Sequence, residues 1–273
     1  MLIHKILTPL LAATVLAATA PLAAAQNRGD EAVLEMQKAY RKGDRQALTS
    51  LLPYARGNPL EPWAAYWELK ARLQDASPAE VADFLRRYAG TYQEDRLRND
   101  WLLLLGQRRD WGQFADLHAA YRMGDDREVR CYAITIDHIK GAAPASAAGE
   151  VLRLWYAQRD GDDGCTNAAS ELFASRKIKS LDIWRKARLG ADANRSRVVR
   201  DAVGIVAPEA LPQLRDVLDN PIKYLTGRAS ASTQVSHELV VLALIRLSRN
   251  DVAQAARLLV DCLAQQGCDR IFT

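Results

Sequence analysis

Apolar positions recur every three or four residues along most of this chain. Val81, Phe84, Leu85 and Tyr88 fall at i, i+3, i+4 and i+7. Leu97, Trp101, Leu104 and Leu105 make a second stripe, and Trp111, Phe114, Ala115 and His118 a third, which Tyr121 continues. This is the periodicity of amphipathic helices, and the strict alternation of strands is nearly absent. Ser77-Pro78-Ala79-Glu80 adds a strong start signal: a serine N-cap, proline at the first helical position, and glutamate where a capping box needs it.

Similar starts recur at a fixed step. Asp44, Ser77, Asp110 and the Ala143-Pro144 pair are separated by 33, 33 and 33 residues. Later starts at Ser180, Ala207-Pro208 and Asp251 are less regular. Two helices per step of this length predict an all-α fold, an αα-repeat superhelix forming a U-shaped or ring-like solenoid. Each unit would bury its apolar face only against its neighbours. An ordinary helical bundle is the competing arrangement. Trp101 and Trp111 then belong to one hairpin: a helix, the basic turn Arg108-Arg109 closed by Asp110, and a second helix folded back. Lys42 and Arg108-Arg109 fall at carboxyl ends of helices, where the dipole favours cations.

The first residues follow a different pattern. MLIHKILTPLLAATVLAATAPLAAAQ has a short polar start at His4-Lys5, an apolar core from Ile6 to Ala20, and small residues at Ala23-Ala24-Ala25. This predicts a secretory leader over 1–25, cut after Ala25, with one α-superhelical domain over 26–273 in the periplasm. The apolar core falls short of the roughly 20 residues that span a bilayer, so no stable membrane insertion is expected once the leader is removed. Cleavage removes Lys5 and no acid, so the formal charge falls from +4 to +3. That surplus does not suggest nucleic acid as a partner.

Four cysteines follow the leader. Cys131 and Cys165 flank about one repeat, and a bond between them closes a 35-residue loop. In the chain-entropy model that contributes about 4 kcal/mol, and an exported chain meets the oxidising conditions that form it, so a disulfide is predicted here. Cys262 and Cys268 could pair only if the last helix ends near Gly267. There is no CxxC, and the three histidines beyond the leader, His118, His138 and His237, are scattered, so no metal site is expected.

Catalytic patterns are equally thin. Asp160, Asp162 and Glu171 fall at positions 1, 3 and 12 of a calcium loop, but Gly164 and Cys165 stand where an oxygen ligand and the turn glycine belong; a solvated turn is expected. Ser236, His237 and Glu238 are consecutive, and neighbours on a helix do not face one another, so they make no triad. His118 lies on an apolar stripe and reads as a packed histidine. Trp63, Tyr66, Trp67, Trp101, Trp111, Trp155 and Trp184 have the chemistry to stack on sugar rings, though five of the six tryptophans are expected in the core. No phosphate loop or nucleotide fingerprint appears, so no cofactor is expected.

An ordered series of segments then carries a resemblance: NPLEPWAAYWEL (58–69), VADFLRRYAGT (81–91), RLRNDWLLLLGQRRDWGQF (96–114), CYAITIDHIKG (131–141), GEVLRLWYAQRDGDDGCTNAASELFASRKI (149–178), LDIWRKARLG (181–190) and HELVVLALIRLSRNDVAQAA (237–256). Together they resemble the amino-terminal superhelical part of soluble lytic murein transglycosylases. The resemblance implies a disulfide between the residues matching Cys131 and Cys165, and peptidoglycan glycan strands as partner. The segment before Cys165 departs from the family, which often has a Gly and a Pro there. The family's enzymes cleave the MurNAc–GlcNAc bond and leave a 1,6-anhydro end, using a glutamate in a Glu-Ser motif and a Gly-Leu-Met-Gln stretch in a separate carboxyl-terminal domain. No Glu-Ser dipeptide occurs in this sequence, and Met1, Met36 and Met123 lie in no such stretch. No catalytic residue is carried over: the frame is expected to stop short of the catalytic module, as a natural product or a truncated frame. The superhelix alone is expected to be inactive. A periplasmic tetratricopeptide-like adaptor for proteins is the alternative, although the Trp-x2-Leu-Gly-x2-Tyr signature is absent.

Overall fold

The computed structural model describes residues 20–227 and 233–264. Residues 1–19 of the predicted leader, and the side chains of Cys262 and Cys268, lie outside what is described. Fifteen α-helices and three short 3-10 segments make up the described fold, with no strand among those residues. They gather into two compact units: one runs to Leu105 and takes in Ala119–Met123, and the other comprises Gly106–His118 and the residues from Gly124 onward.

The first unit holds α1 (Ala20–Lys42), α2 (Arg45–Leu51), α3 (Glu61–Ala71), α4 (Pro78–Arg87) and most of α5 (Tyr92–Gln107). Asp44 caps α2 by accepting the Ala47 N–H at 2.9 Å. Ser77 and Glu80 form the complete capping box on α4, satisfying donors that a helix start leaves free. Val33, Met36, Leu48, Ala55 and Ala64 form the core between α1, α2 and α3.

The second unit begins with α6 (Trp111–His118) and continues through α7 (Arg127–Ile139), α8 (Ala147–Tyr156), α9 (Asp163–Ala174), α10 (Ser180–Asp192), α11 (Ser196–Val206), α12 (Leu214–Asp219), α13 (Pro221–Gly227), α14 (Gln234–Ser248) and α15 (Val252–Ala264). Helices close in sequence pack together, most extensively α10 on α11 and α7 on α9. One continuous core runs through it, including Val151, Trp155, Ala168, Ile183, Trp184, Val203 and Leu242.

Asp110 caps α6 through the Gln113 N–H at 3.1 Å, and the basic turn before it closes sharply because Arg109 takes a left-handed φ of 59°. That conformation costs a non-glycine residue about 1 kcal/mol or more. Its side chain offsets the cost: Nη1 donates to Gly106 O at 2.7 Å and Nη2 to Asp163 Oδ1 at 3.0 Å, and the guanidinium lies over the rings of Trp111 and Tyr132. Three expected features differ. The fourth helix start is not at Pro144: the Ala147 N–H donates to Pro144 O at 3.0 Å, so the proline sits in a turn and α8 starts at Ala147. The third stripe ends at His118; Tyr121 lies beyond α6 and its hydroxyl donates to Asn99 at 2.6 Å. Only Trp101, Trp155 and Trp184 are buried, while Trp63, Trp67 and Trp111 are half-exposed.

Candidate functional site

The first turns of α5 are rich in polar and charged side chains, yet Gln93, Glu94, Asp95, Arg98, Asn99 and Asp100 are all buried. Isolated, each buried charge would be costly, so each must be paired. Arg98 bridges Glu94 and Asp95, the latter at 2.6 Å. Glu94 also accepts the Gly90 N–H at 2.8 Å and the Arg122 guanidinium at 2.9 Å. Burial pushes the Glu94 carboxyl up, but these hydrogen bonds outweigh it and hold it at about 2. Asp95 accepts the backbone N–H groups of Arg122 at 3.0 Å and Met123 at 2.7 Å, which fastens Ala119–Met123 to the first unit. Asp100 is paired with Lys70 at 2.8 Å and accepts the Tyr66 hydroxyl at 2.8 Å.

Beside this network stands a row of rings. Tyr40 of α1, Trp67 and Trp63 of α3, and Tyr92 at the start of α5 follow one another with centroid separations of 6.2, 5.9 and 5.8 Å. Tyr66 meets Trp63 edge-on at 5.8 Å. Burial and the neighbouring Asp100 raise the proton affinity of the Tyr66 hydroxyl, and the nearby Arg96 guanidinium lowers it in part. Tyr92 is 55% exposed, and Tyr40, Trp63 and Trp67 are half-exposed. Such a surface offers apolar faces edged by fixed donors and acceptors, a binding chemistry.

Carboxyl groups with raised proton affinity lie instead in the second unit. Burial, then Asp162, pushes Glu128 up; burial likewise raises Asp162. Both are engaged inside the seam between α7 and α9. Glu128 accepts the Gly164 N–H and the Tyr132 hydroxyl, each at 3.2 Å, and Asp162 caps α9 through the Cys165 N–H at 2.8 Å. The turn expected to be solvated is thus drawn into the unit: Asp163 pairs with Arg109, and only Asp160 of its acids is exposed, paired with Arg195. Neither carboxyl lines the cavity of about 420 Å³ beside Leu69, Arg72 and Phe84 or that of about 240 Å³ beside Arg200 and Arg215.

Cys131 and Cys165 are bonded across this seam, Cα to Cα 4.9 Å, and both are buried. His237 and Glu238 are buried at the start of α14; Glu238 pairs bidentately with Arg188, one contact at 2.9 Å, and Thr233 and Ser236 cap the helix between them. His118 stacks on Phe114 at 5.5 Å, and burial lowers its proton affinity. Among the described residues no group of His, Cys, Asp and Glu side chains has a metal-binding arrangement, and no helix is long and apolar enough to cross a membrane.

No family model matches the sequence, and no curated protein sequence matches it. Solved structures do. The 70-kDa soluble lytic transglycosylase of Escherichia coli superposes with a TM-score of 0.54 at 19% identity, over 89% of this chain and 39% of that one. The complex of the 70-kDa soluble lytic transglycosylase with bulgecin A gives 0.53 at 19% identity with the same coverage. An inactive mutant of the lytic transglycosylase Slt of Pseudomonas aeruginosa is 26% identical over 85% of this chain and 38% of that one, with a TM-score of 0.48. The chain spans about 39% of the length of the first two. The resemblance read from the ordered segments therefore holds in the fold: this all-α chain has the helical arrangement of a part of the soluble lytic transglycosylases.

Proposed function

We propose that this chain is a non-catalytic helical portion of a peptidoglycan-associated protein of the lytic transglycosylase kind, exported to the periplasm by residues 1–25 with cleavage after Ala25. The observation that carries this is the fold match over 89% of the chain, made by residues whose ordered segments resemble the same family. In that family the reaction breaks the MurNAc–GlcNAc bond and leaves a 1,6-anhydro end. It needs a carboxylic acid placed at the scissile oxygen. No Glu-Ser dipeptide supplies it here, and the half-buried carboxyl groups Glu128 and Asp162 are engaged by backbone N–H groups.

The test is incubation of the purified chain with sacculi. Co-sedimentation without release of 1,6-anhydro-muropeptides is expected. Release of those products would overturn the non-catalytic reading. Failure to sediment with sacculi, with saturable capture of one envelope protein instead, would favour the adaptor alternative.

A further inference from the structure

We propose that the row Tyr40–Trp67–Trp63–Tyr92 is a stacking platform for an unbranched amino-sugar chain. This rests on the peptidoglycan reading above and assigns it a place on the molecule. Three separate elements converge on the row. Tyr40 and Trp67 pack against the core of the first unit, but whereas a helical repeat buries its large rings between units, as it does Trp101, Trp155 and Trp184, these four keep part of their surface in solvent.

Their spacing leaves room for a ligand. Tyr40 and Trp67 lie 24° from parallel, and Trp67 and Trp63 29°. Rings in face contact sit roughly 4 Å apart, so separations near 6 Å mean a lateral offset of several ångströms, the offset-stacked arrangement. Part of each face is not covered by its neighbour. One face of a pyranose ring is a patch of C–H groups, which suits such a surface; its hydroxyl and N-acetyl groups need partners at the edge. Arg96, close to Tyr66 and Asp100, and Lys70, paired with Asp100 at 2.8 Å, stand at that edge.

Charge decides between a sugar chain and a nucleic acid, since bases also stack on aromatic rows. A phosphate backbone needs a positive field. Here both cations face Asp100, and Glu61 adds a second acid two residues before Trp63 in α3, so the edge carries both signs. The balance fits a ligand of little net charge. The platform is also held in advance. The buried bonds of Glu94 and Asp95 fix the first turn of α5, which carries Tyr92, so binding orders little more than side-chain rotamers.

The experiment is a titration of the chain with chitotetraose, a β-1,4-linked N-acetylglucosamine tetramer without stem peptides, followed by tryptophan fluorescence and calorimetry. Sacculus sedimentation runs in parallel. Wild type should bind the tetramer, with Tyr92→Ala and Trp63→Leu at least tenfold weaker. Tyr92 is exposed, so its variant should melt like wild type and serves as the folding-neutral test. Equal affinity in both variants would overturn the platform. Binding to sacculi but not to chitotetraose would overturn it while leaving the peptidoglycan reading intact. Binding to neither would remove both. Tighter binding of an oligouridylate than of the tetramer would overturn the choice of ligand.

Discussion

The ammonium of Lys186 lies 5.6 Å from the centroid of the Trp155 ring, and the lysine is fully buried. Lys186 Nζ donates to the carbonyls of Trp155 and of Gln158, the latter at 2.9 Å, so this side chain closes the carboxyl end of α8. Cations suit that end of a helix, but desolvation lowers the proton affinity of the amine to about 8, against 10.5 for a free lysine.

A pH dependence follows. Below about 8 both states carry the proton and the burden of a buried charge is fully present. Between about 8 and 10 the unfolded chain holds more protons than the folded one, so unfolding free energy rises with pH, by up to about 1 kcal/mol per unit. The second unit should therefore gain stability over pH 8–10, and Lys186→Met should remove the gain. Tyrosines with raised proton affinity, such as Tyr156 at about 12, oppose it only above pH 10. Parallel curves for wild type and variant in urea unfolding would contradict the assignment.

Cys131 and Cys165 tie α7 to α9 across a loop of 34 residues in sequence separation. Replacing both by alanine should cost the second unit about 4 kcal/mol in the chain-entropy model. The two compact units need not unfold together, so the measurement is hydrogen exchange by element. Amides of α7, α9 and α10 should exchange faster, and those of α3 and α4 should keep their protection. A uniform loss across both units would contradict the division.

Glu94 gives the acid limb. Its folded value of about 2 lies below the usual 4.5, so its contribution is present above pH 4.5 and is lost as pH falls toward 2. The shift corresponds to about 3 kcal/mol at most. Glu94→Gln should lower stability at pH 7 and flatten the dependence between pH 4.5 and 2. Exchange protection in α5 measured across that range reads both effects. A variant with the wild-type slope would show that the carboxylate is not the titrating group.

Local chemistry was legible in the sequence, and packing partners were not. Asp44, Ser77, Asp110 and Asp251 announce helix starts because an N-cap bonds within three residues, as the Gln254 N–H to Asp251 contact at 2.8 Å shows. Cys131 and Cys165 stand out by their spacing in a sequence whose start reads as a secretory leader. The buried charges of α5 were hidden because their partners come from afar: Arg122 is 28 residues from Glu94, and Lys70 arrives from α3. Trp63, Trp67 and Trp111 are only half-buried, against expectation, for the related reason that periodicity marks a face as apolar without saying how fully another helix covers it. Pro144 misled because proline favours the first turn of a helix and a tight turn alike.

Gly106 supplies the last test. A Cβ built there would lie 2.3 Å from Cε2 and 2.4 Å from Cδ2 of Tyr132. The ring has little freedom to yield: its hydroxyl donates to Asp163 with Glu128 Oε1 3.2 Å away, and Trp111 and Phe114 flank it at 6.0 Å each. Close approach, not a positive φ, is what demands glycine at this position. Gly106→Ala should destabilise the second unit by about 1–3 kcal/mol, the range for overpacking. Tyr132→Ala is costly alone, because it opens a cavity and strips Asp163 of a partner. In the double variant the clash is absent, so the combined loss should be smaller than the sum by 1 kcal/mol or more, a coupling expected of residues in contact. Additive losses in a double-mutant cycle, followed by urea unfolding, would show that the backbone at Gly106 shifts to admit the methyl group and that the contact is softer than its distances imply.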